Sequence, residues 1–235
     1  MESRKTDCSS CAHVQSCLPR SLVGSDLLSV FEDVVESSQI IERGQPLFEM
    51  GDTFSQLHII KSGTFKAVSV GTTSVIMGFH FPTNVVGIDS ISTGYHTHSL
   101  IALERAVVCN LNYLKLLEQF RRFPQVEVSF INAMSAQFDE SMSLFMVIRC
   151  GTVLQRVATF LLYVTEQYGR LNLASTDIVL PMGRTDISNF IGVSAESLSR
   201  NLTHLSGAGI LRVFNRRITL IDREALAGIA LGYSS

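Results

Sequence analysis

The residues of this chain best suited to chemistry are cysteines. Cys8, Cys11 and Cys17 stand in a polar N-terminal arm with the spacing C-x2-C-x5-C. A fourth, Cys109, stands far along the chain in the apolar run Arg105-Ala-Val-Val-Cys-Asn-Leu111. Three thiols this close can converge on one metal centre, and a distant fourth completes the shell. Thiolates are soft, anionic ligands, so the chemistry offered is that of an iron–sulfur cluster or of zinc. The C-x2-C pair accommodates either. It could also be a redox pair, but no βαβ pattern follows it. The fifth cysteine, Cys150, reads as a small packed side chain.

No catalytic set accompanies these thiols. His96 and His98, in Gly94-Tyr-His-Thr-His98, are two residues apart and read as polar loop histidines rather than ligands. Met134, Met142 and Met146 read as helix packing. The chain has no phosphate loop, no nucleophile elbow and no acid–base pair, so an enzyme is not expected.

Composition bounds the elements that must position the cysteines. At 235 residues, with 46% hydrophobic residues and a mean hydropathy of +0.27, the chain can build one large core or two modest ones. No run approaches the roughly 18 apolar residues of a membrane span. The opening Met-Glu-Ser-Arg-Lys-Thr-Asp lacks the apolar core of a signal peptide. A cytoplasmic protein with reduced thiols and no membrane partner is therefore expected. The net charge is −2. Residues 181–217, however, carry a local +3, from Arg184, Arg200, Arg212, Arg216 and Arg217 against Asp186 and Glu196. A basic module on a mildly acidic body is a footprint for nucleic acid.

Texture then divides the chain. Residues 1–20 are the cysteine-bearing arm. Ser25 to Glu36 predicts a helix, with Leu27, Leu28, Phe31, Val34 and Val35 at helical spacing behind Ser25 or Asp26 as N-cap. From Ile40 to Leu111, short alternating or β-branched runs (57–61, 64–70, 74–80 and 106–111) are punctuated by glycine turns at Gly44, Gly51, Gly63 and Gly71. That pattern predicts a small sandwich or jelly roll within 21–123. A helix is expected over 112–123. Pro124 opens a longer one ending at Cys150, about 40 Å at 1.5 Å per residue. Within it Ile131, Met134, Phe138, Ser141, Phe145 and Ile148 are spaced 3, 4, 3, 4, 3. This is the heptad seam of a helix packed on a twin, so 124–150 predicts a parallel homodimer, with Ser141 a weakening polar gap.

Residues 151–235 contain a helix-turn-helix pattern. Arg184 to Ile191 predicts a short helix, Gly192 its left-handed C′ residue, and Ser194 the cap of a second helix from Ala195 to Ser206. In that helix Leu198, Leu202 and Leu205 share one face, while Glu196, Ser199, Arg200 and Thr203 share the other. Arg200 can donate twice to a guanine, Glu196 can accept from a cytosine amino group, and Ser199 suits base or phosphate. The runs 210–214 and 217–221, joined by Asn215-Arg216, predict a β-hairpin wing whose Arg216 and Arg217 meet phosphates. A soft-metal site at one end and a DNA reader at the other point to a sensor that controls transcription.

The order of arm, β-roll, long helix and winged helix resembles the cyclic-AMP receptor and Fnr superfamily of bacterial regulators. The likeness covers nearly the whole chain and is nearest to its Fnr (fumarate and nitrate reduction) type. It is carried by the four cysteines, by Gly78-Phe-His80, Val86-Gly-Ile-Asp89, Ala102-Leu-Glu104 with Val108-Cys109, Thr185-Asp-Ile-Ser-Asn-Phe-Ile-Gly192 and Val193-Ser-Ala-Glu-Ser-Leu-Ser-Arg200. The resemblance implies an α+β fold of β-roll, dimerisation helix and winged helix. It further implies an oxygen-responsive regulator with a [4Fe–4S] cluster on Cys8, Cys11, Cys17 and Cys109, an Fnr-box palindrome of the TTGAT/ATCAA kind as its operator, and RNA polymerase as a partner. Two readings stand beside it: a zinc or thiol redox site on the same fold, and a cyclic-nucleotide-binding regulator. Cyclic-AMP binders of the superfamily carry Arg-Ser at the phosphate position and Gly-Glu upstream, where this chain has His98-Ser99 and Gly87-Ile88. Many Fnr-type seams carry an acidic residue near Ser141, which here is neutral.

Overall fold

The computed structural model describes residues 8, 11, 28, 32–71, 74–171 and 176–232, with Val70, Val147, Arg149 and Cys150 described by backbone alone. Cys17, the Cys150 side chain and most of the helix expected from Ser25 lie outside this description. The chain divides into two compact units, Met1–Phe138 and Asp139–Ser235.

The first unit holds β1 (Val35–Ile41), β2 (Pro46–Phe48), β3 (Gln56–Ser62), β4 (Phe65–Val70), β5 (Ser74–His80), β6 (Val85–Val86), β7 (Ser99–Ala102) and β8 (Ala106–Asn112). Helix α1 (Tyr113–Arg122) follows, and then the start of α2 (Pro124–Cys150). The strands form two antiparallel four-stranded sheets, ordered β1-β8-β3-β6 and β2-β7-β4-β5. Both sheets contribute to one core, including Ile41, Phe48, Ile60, Phe65, Leu100 and Val108. Successive strand residues point to opposite faces, so Val108 joins this core while Cys109 and Leu111 join a second one. The second core unites Val35, Leu57, Ile59 and Val85 with Leu116 of α1 and Val126 and Phe130 of α2.

The four strands legible from alternation are present as β3, β4, β5 and β8. The short β2 and β6 gave no periodic signal. The expected helix through Glu36 requires correction: Val35 and Glu36 belong to β1, where Val35 pairs with Leu111 and is buried. Pairing with β8 outweighs the local helical spacing there. Gly63 (φ +82°) is obligatory, because a Cβ would lie 2.6 Å from the Cβ of Ala106.

Histidines are built into this unit, and His96 and His98, in the loop before β7 as expected, are not at its surface. Both are buried. The Phe48 ring stacks on His96 at 3.7 Å and 11°, Ser90 Oγ lies 2.8 Å from His96 Nδ1, and Asp89 Oδ2 lies 3.3 Å from His98 Nδ1. His58, also buried, donates from Nδ1 to Asn110 Oδ1 at 2.9 Å. Burial pushes its imidazole down to about 4, although the Asn110 bond opposes this. Burial also holds His80 down to about 4 and His96 below its ordinary value. A depressed histidine lets the unfolded chain take up protons first. Stability is therefore full above the unfolded pKa near 6.5 and is lost as pH falls from there toward 4. His58 alone contributes about 3 kcal/mol to this loss. Urea unfolding of the first unit should show a falling midpoint across this window, with a shallower fall in His58→Gln; a midpoint flat between pH 7 and 4.5 would refute it.

The second unit carries α3 (Val153–Arg170), β9 (Asp177–Val179), α4 (Arg184–Ile191), α5 (Ala195–Gly207), β10 (Leu211–Phe214), β11 (Arg217–Leu220) and α6 (Arg223–Leu231). The strands form one antiparallel sheet, β10-β11-β9. A reciprocal cap starts α3: Gln155 N–H donates to Thr152 Oγ1 at 3.3 Å, and Thr152 N–H donates to Gln155 Oε1 at 2.7 Å. Among the described residues no helix is long and apolar enough to cross a membrane.

Candidate metal centre and nucleic-acid interface

Strand β8 delivers Cys109 to the helix-covered face of its sheet, opposite Ile59 of β3 and Ser38 of β1. Cys8 packs into the same apolar cluster; Cys8 is 8% and Cys109 7% exposed. Cys11 is half-buried one turn away, its N–H donating to Cys8 O at 3.3 Å. Three of the four expected ligands thus include two in one core and a third tied to them by a single turn. Cys17, the remaining one, lies outside the described residues. Among the described residues no three His, Cys, Asp or Glu side chains are gathered closely enough to hold an ion.

The surroundings fit a soft centre. The cluster that holds Cys8 and Cys109 is hydrocarbon: Leu57, Ile59, Val85, Leu116, Val126 and Phe130. A bare thiolate in such a wall is costly, whereas a thiolate whose charge is shared with a metal is not. All-sulfur donors in an apolar shell suit an iron–sulfur cluster or a structural zinc.

The same cluster reaches the long helix. Val126 and Phe130 are members of it, and Ala133 and Met134 pack against it. Of the six expected seam residues, Ile131, Phe138, Ser141 and Phe145 are exposed, at 56% for Ile131, 68% for Phe138 and 50% for Phe145. Met134 is half-buried against its own unit, and Ile148 is buried. Val128 and Met142 are exposed instead. The outward apolar stripe therefore runs Val128, Ile131, Ser135, Phe138, Met142 and Phe145, again at intervals of 3, 4, 3, 4, 3. Both phases are heptads, and spacing could not choose between them.

The helix-turn-helix stands where local chemistry put it. Gly192 (φ +67°) terminates α4, and Ser194 caps α5 by accepting from Ser197 N–H at 3.0 Å. Arg156 of α3 donates to the carbonyls of Ile191 and Gly192, both at 3.4 Å, which ties the turn down. Leu198, Leu202 and Leu205 are buried. Glu196, Arg200 and Thr203 are exposed, and Ser199 is half-buried. Arg200 lies 3.5 Å from Glu196 and shares a bond with Ser197. An open cleft between α5 and the wing is lined by Ser199, Thr203, Arg216 and Asn215, and also by Arg184 and Thr185. The last two escaped sequence reasoning; their signal was their place at the first turn of α4. At the wing, Asn215 adopts φ +56°, Arg216 donates to Pro181 O at 3.3 Å, and Arg217 pairs with Asp177 at 3.1 Å.

Comparison with known proteins finds matches along both halves of the chain. Residues 39–123 match the cyclic nucleotide-binding domain model, and residues 155–229 match the Crp-like helix-turn-helix domain model. The chain is 29% identical over 231 residues to the transcriptional activator protein FnrA of Stutzerimonas stutzeri, covering 97% of this chain and 94% of that protein. It is 28% identical over 225 residues to the fumarate and nitrate reduction regulatory protein of Escherichia coli (strain K12), covering 95% and 90%. Among solved structures it resembles FixK2 from Bradyrhizobium japonicum, with a TM-score of 0.72 and 23% identity over 81% of this chain and 95% of that one. With an α+β roll ahead of a winged helix-turn-helix, and relatives that are regulators rather than enzymes, the chain belongs to the Crp/Fnr family as an Fnr-like, DNA-binding transcription regulator.

Proposed function

We propose that this regulator responds to oxygen through a [4Fe–4S] cluster on Cys8, Cys11, Cys17 and Cys109, and binds an Fnr-box palindrome as a parallel homodimer under anaerobic conditions. One observation carries the reading: Cys8 and Cys109 share a core with Val126 and Phe130 of the helix that presents the outward stripe. The bound cluster would supply an oxygen-labile tie between arm and β-roll. The chain does the rest. Cys8 and Cys109 line the seat of α2, so a cluster that ties the arm to Cys109 would steady the helix, and metal-ligand free energy would become structural free energy. Two helices paired along the stripe space two copies of α5 by about one DNA turn. The layout is an arm (1–20), β-roll sensor (21–123), dimerisation helix (124–150) and DNA-binding domain (151–235). The protein acts in the cytoplasm and engages RNA polymerase.

Glu196, Ser199, Arg200 and Thr203 read bases, while Arg216 and Arg217 meet phosphates. Arg200→Ala should cost about 1–3 kcal/mol of operator affinity and relax preference at a single base pair. Anisotropy titrations on the parent palindrome and on single-base variants measure this; uniform weakening across all sequences would place Arg200 on phosphate instead.

Zinc on the same four thiols is the competing occupant, and the decisive experiment separates the two. Anaerobically purified protein should be brown, contain iron and sulfide, and lose both its colour and its operator binding in air. A colourless, zinc-loaded protein whose binding ignores air would overturn the proposal. Cyclic nucleotide finds less support: His98 stands at the phosphate position with Asp89, an anion, 3.3 Å away.

A further inference from the structure

Among the apolar contacts that seat α2 on the first unit stands a polar one. Val126, Phe130 and Met134 face the cluster holding Cys8 and Cys109, and about one turn further along is Gln137. Val85 N–H donates to Gln137 Oε1 at 3.2 Å, and Gln137 Nε2 donates to Val85 O at 3.0 Å. Val85 is buried in β6, which is two residues long and ends its sheet. It pairs with Ile59, while the neighbouring bonds of this edge run between Ile60 and Asn84 or Thr83. By antiparallel alternation, the peptide groups of Val85 point away from β3. A carboxamide has the donor and acceptor of a peptide group. Gln137 therefore takes the place of the next strand and closes the edge.

Apolar contacts are non-directional and would let a helix roll on its seat. A paired hydrogen bond is directional and would not. We infer that Gln137 is a positioning residue: its latch on the Val85 peptide fixes the rotation of α2 about its own axis, and so holds Ile131 and Phe138 outward for a second copy of the chain. The inference rests on the dimer reading of α2. Val85 belongs to the cluster that contains Cys8 and Cys109, so the latch sits beside the two cysteines.

The test uses full-length, anaerobically purified protein. Gln137→Met keeps length and apolar bulk but has no carboxamide; Gln137→Asn keeps the carboxamide but falls short of Val85. Both should weaken self-association about tenfold by sedimentation, and speed hydrogen exchange at the Val85 amide by at least as much, as expected for lost peptide bonds. The visible and far-ultraviolet spectra should not change. Ala136→Ser, on an exposed part of the helix away from the stripe, should alter neither measurement. Variants that associate as tightly as a dimeric parent overturn the latch alone. A parent that never self-associates overturns the dimer reading beneath it.

Discussion

Replacing Cys109 by serine is expected to abolish specific operator binding by anaerobic protein. Residual affinity should sit at the non-specific level, on the order of a thousandfold weaker or more. The substitution exchanges one sulfur for one oxygen at a site 7% exposed, so little packing changes. The added cost of burying a hydroxyl is about 1–3 kcal/mol, which the sheet around β8 should withstand. What would be lost is the soft ligand that the proposed cluster needs from β8. On the proposed reading the arm would then lose its anchor, and Cys8 would no longer be held beside Val126 and Phe130. The same result is expected for Cys8→Ser, Cys11→Ser and Cys17→Ser. Iron content, far-ultraviolet dichroism and operator titration on one preparation check the claim. Retained folding with lost iron and lost binding supports it; normal binding by any of the four variants refutes the switch.

Phe138→Glu should leave the protein monomeric at micromolar concentration. Phe138 is 68% exposed in the chain and central in the outward stripe, so in a paired helix it would face its own copy. Losing a buried aromatic costs about 3–5 kcal/mol, and apposed carboxylates add repulsion, so the dissociation constant should rise on the order of a thousandfold. Operator affinity should fall with it, since a monomer reaches one half-site. Met134 provides the contrast. It packs on the first unit, so Met134→Ala should lower that unit's unfolding midpoint while affecting dimerisation less. Sedimentation and urea unfolding of both variants decide the matter. A dimeric Phe138→Glu protein, or a Met134→Ala protein that dissociates without destabilisation, would mean that the seam runs along the other phase.

The two heptad phases show where reading from sequence stops. Ile131-Met134-Phe138 and Val128-Ile131-Ser135-Phe138 have the same spacing, because each records only that apolar residues recur every three or four positions. What favours the outward phase is the hold on the helix from the other side: Val126 and Phe130 in the cysteine-bearing cluster, and Gln137 on the Val85 peptide. His96 and His98 teach the same lesson. Their place in a loop was legible, but the packing of Phe48, Ser90 and Asp89 against them was not.

The helix-turn-helix was legible nearly to the residue. Gly192, Ser194 and the leucines of α5 act within a few positions of themselves, and left-handed backbone, side-chain caps and one-faced periodicity are properties of local chain. The cysteine spacing likewise raised the expectation of a soft metal site from sequence alone. No local signal could say that Cys109 would face the helices rather than the space between the sheets, that Cys8 would share its core, or that a two-residue strand would be closed by a glutamine 52 positions away. Those outcomes depend on contacts between segments distant along the chain, where the gain from burying a surface exists only once its partner has arrived.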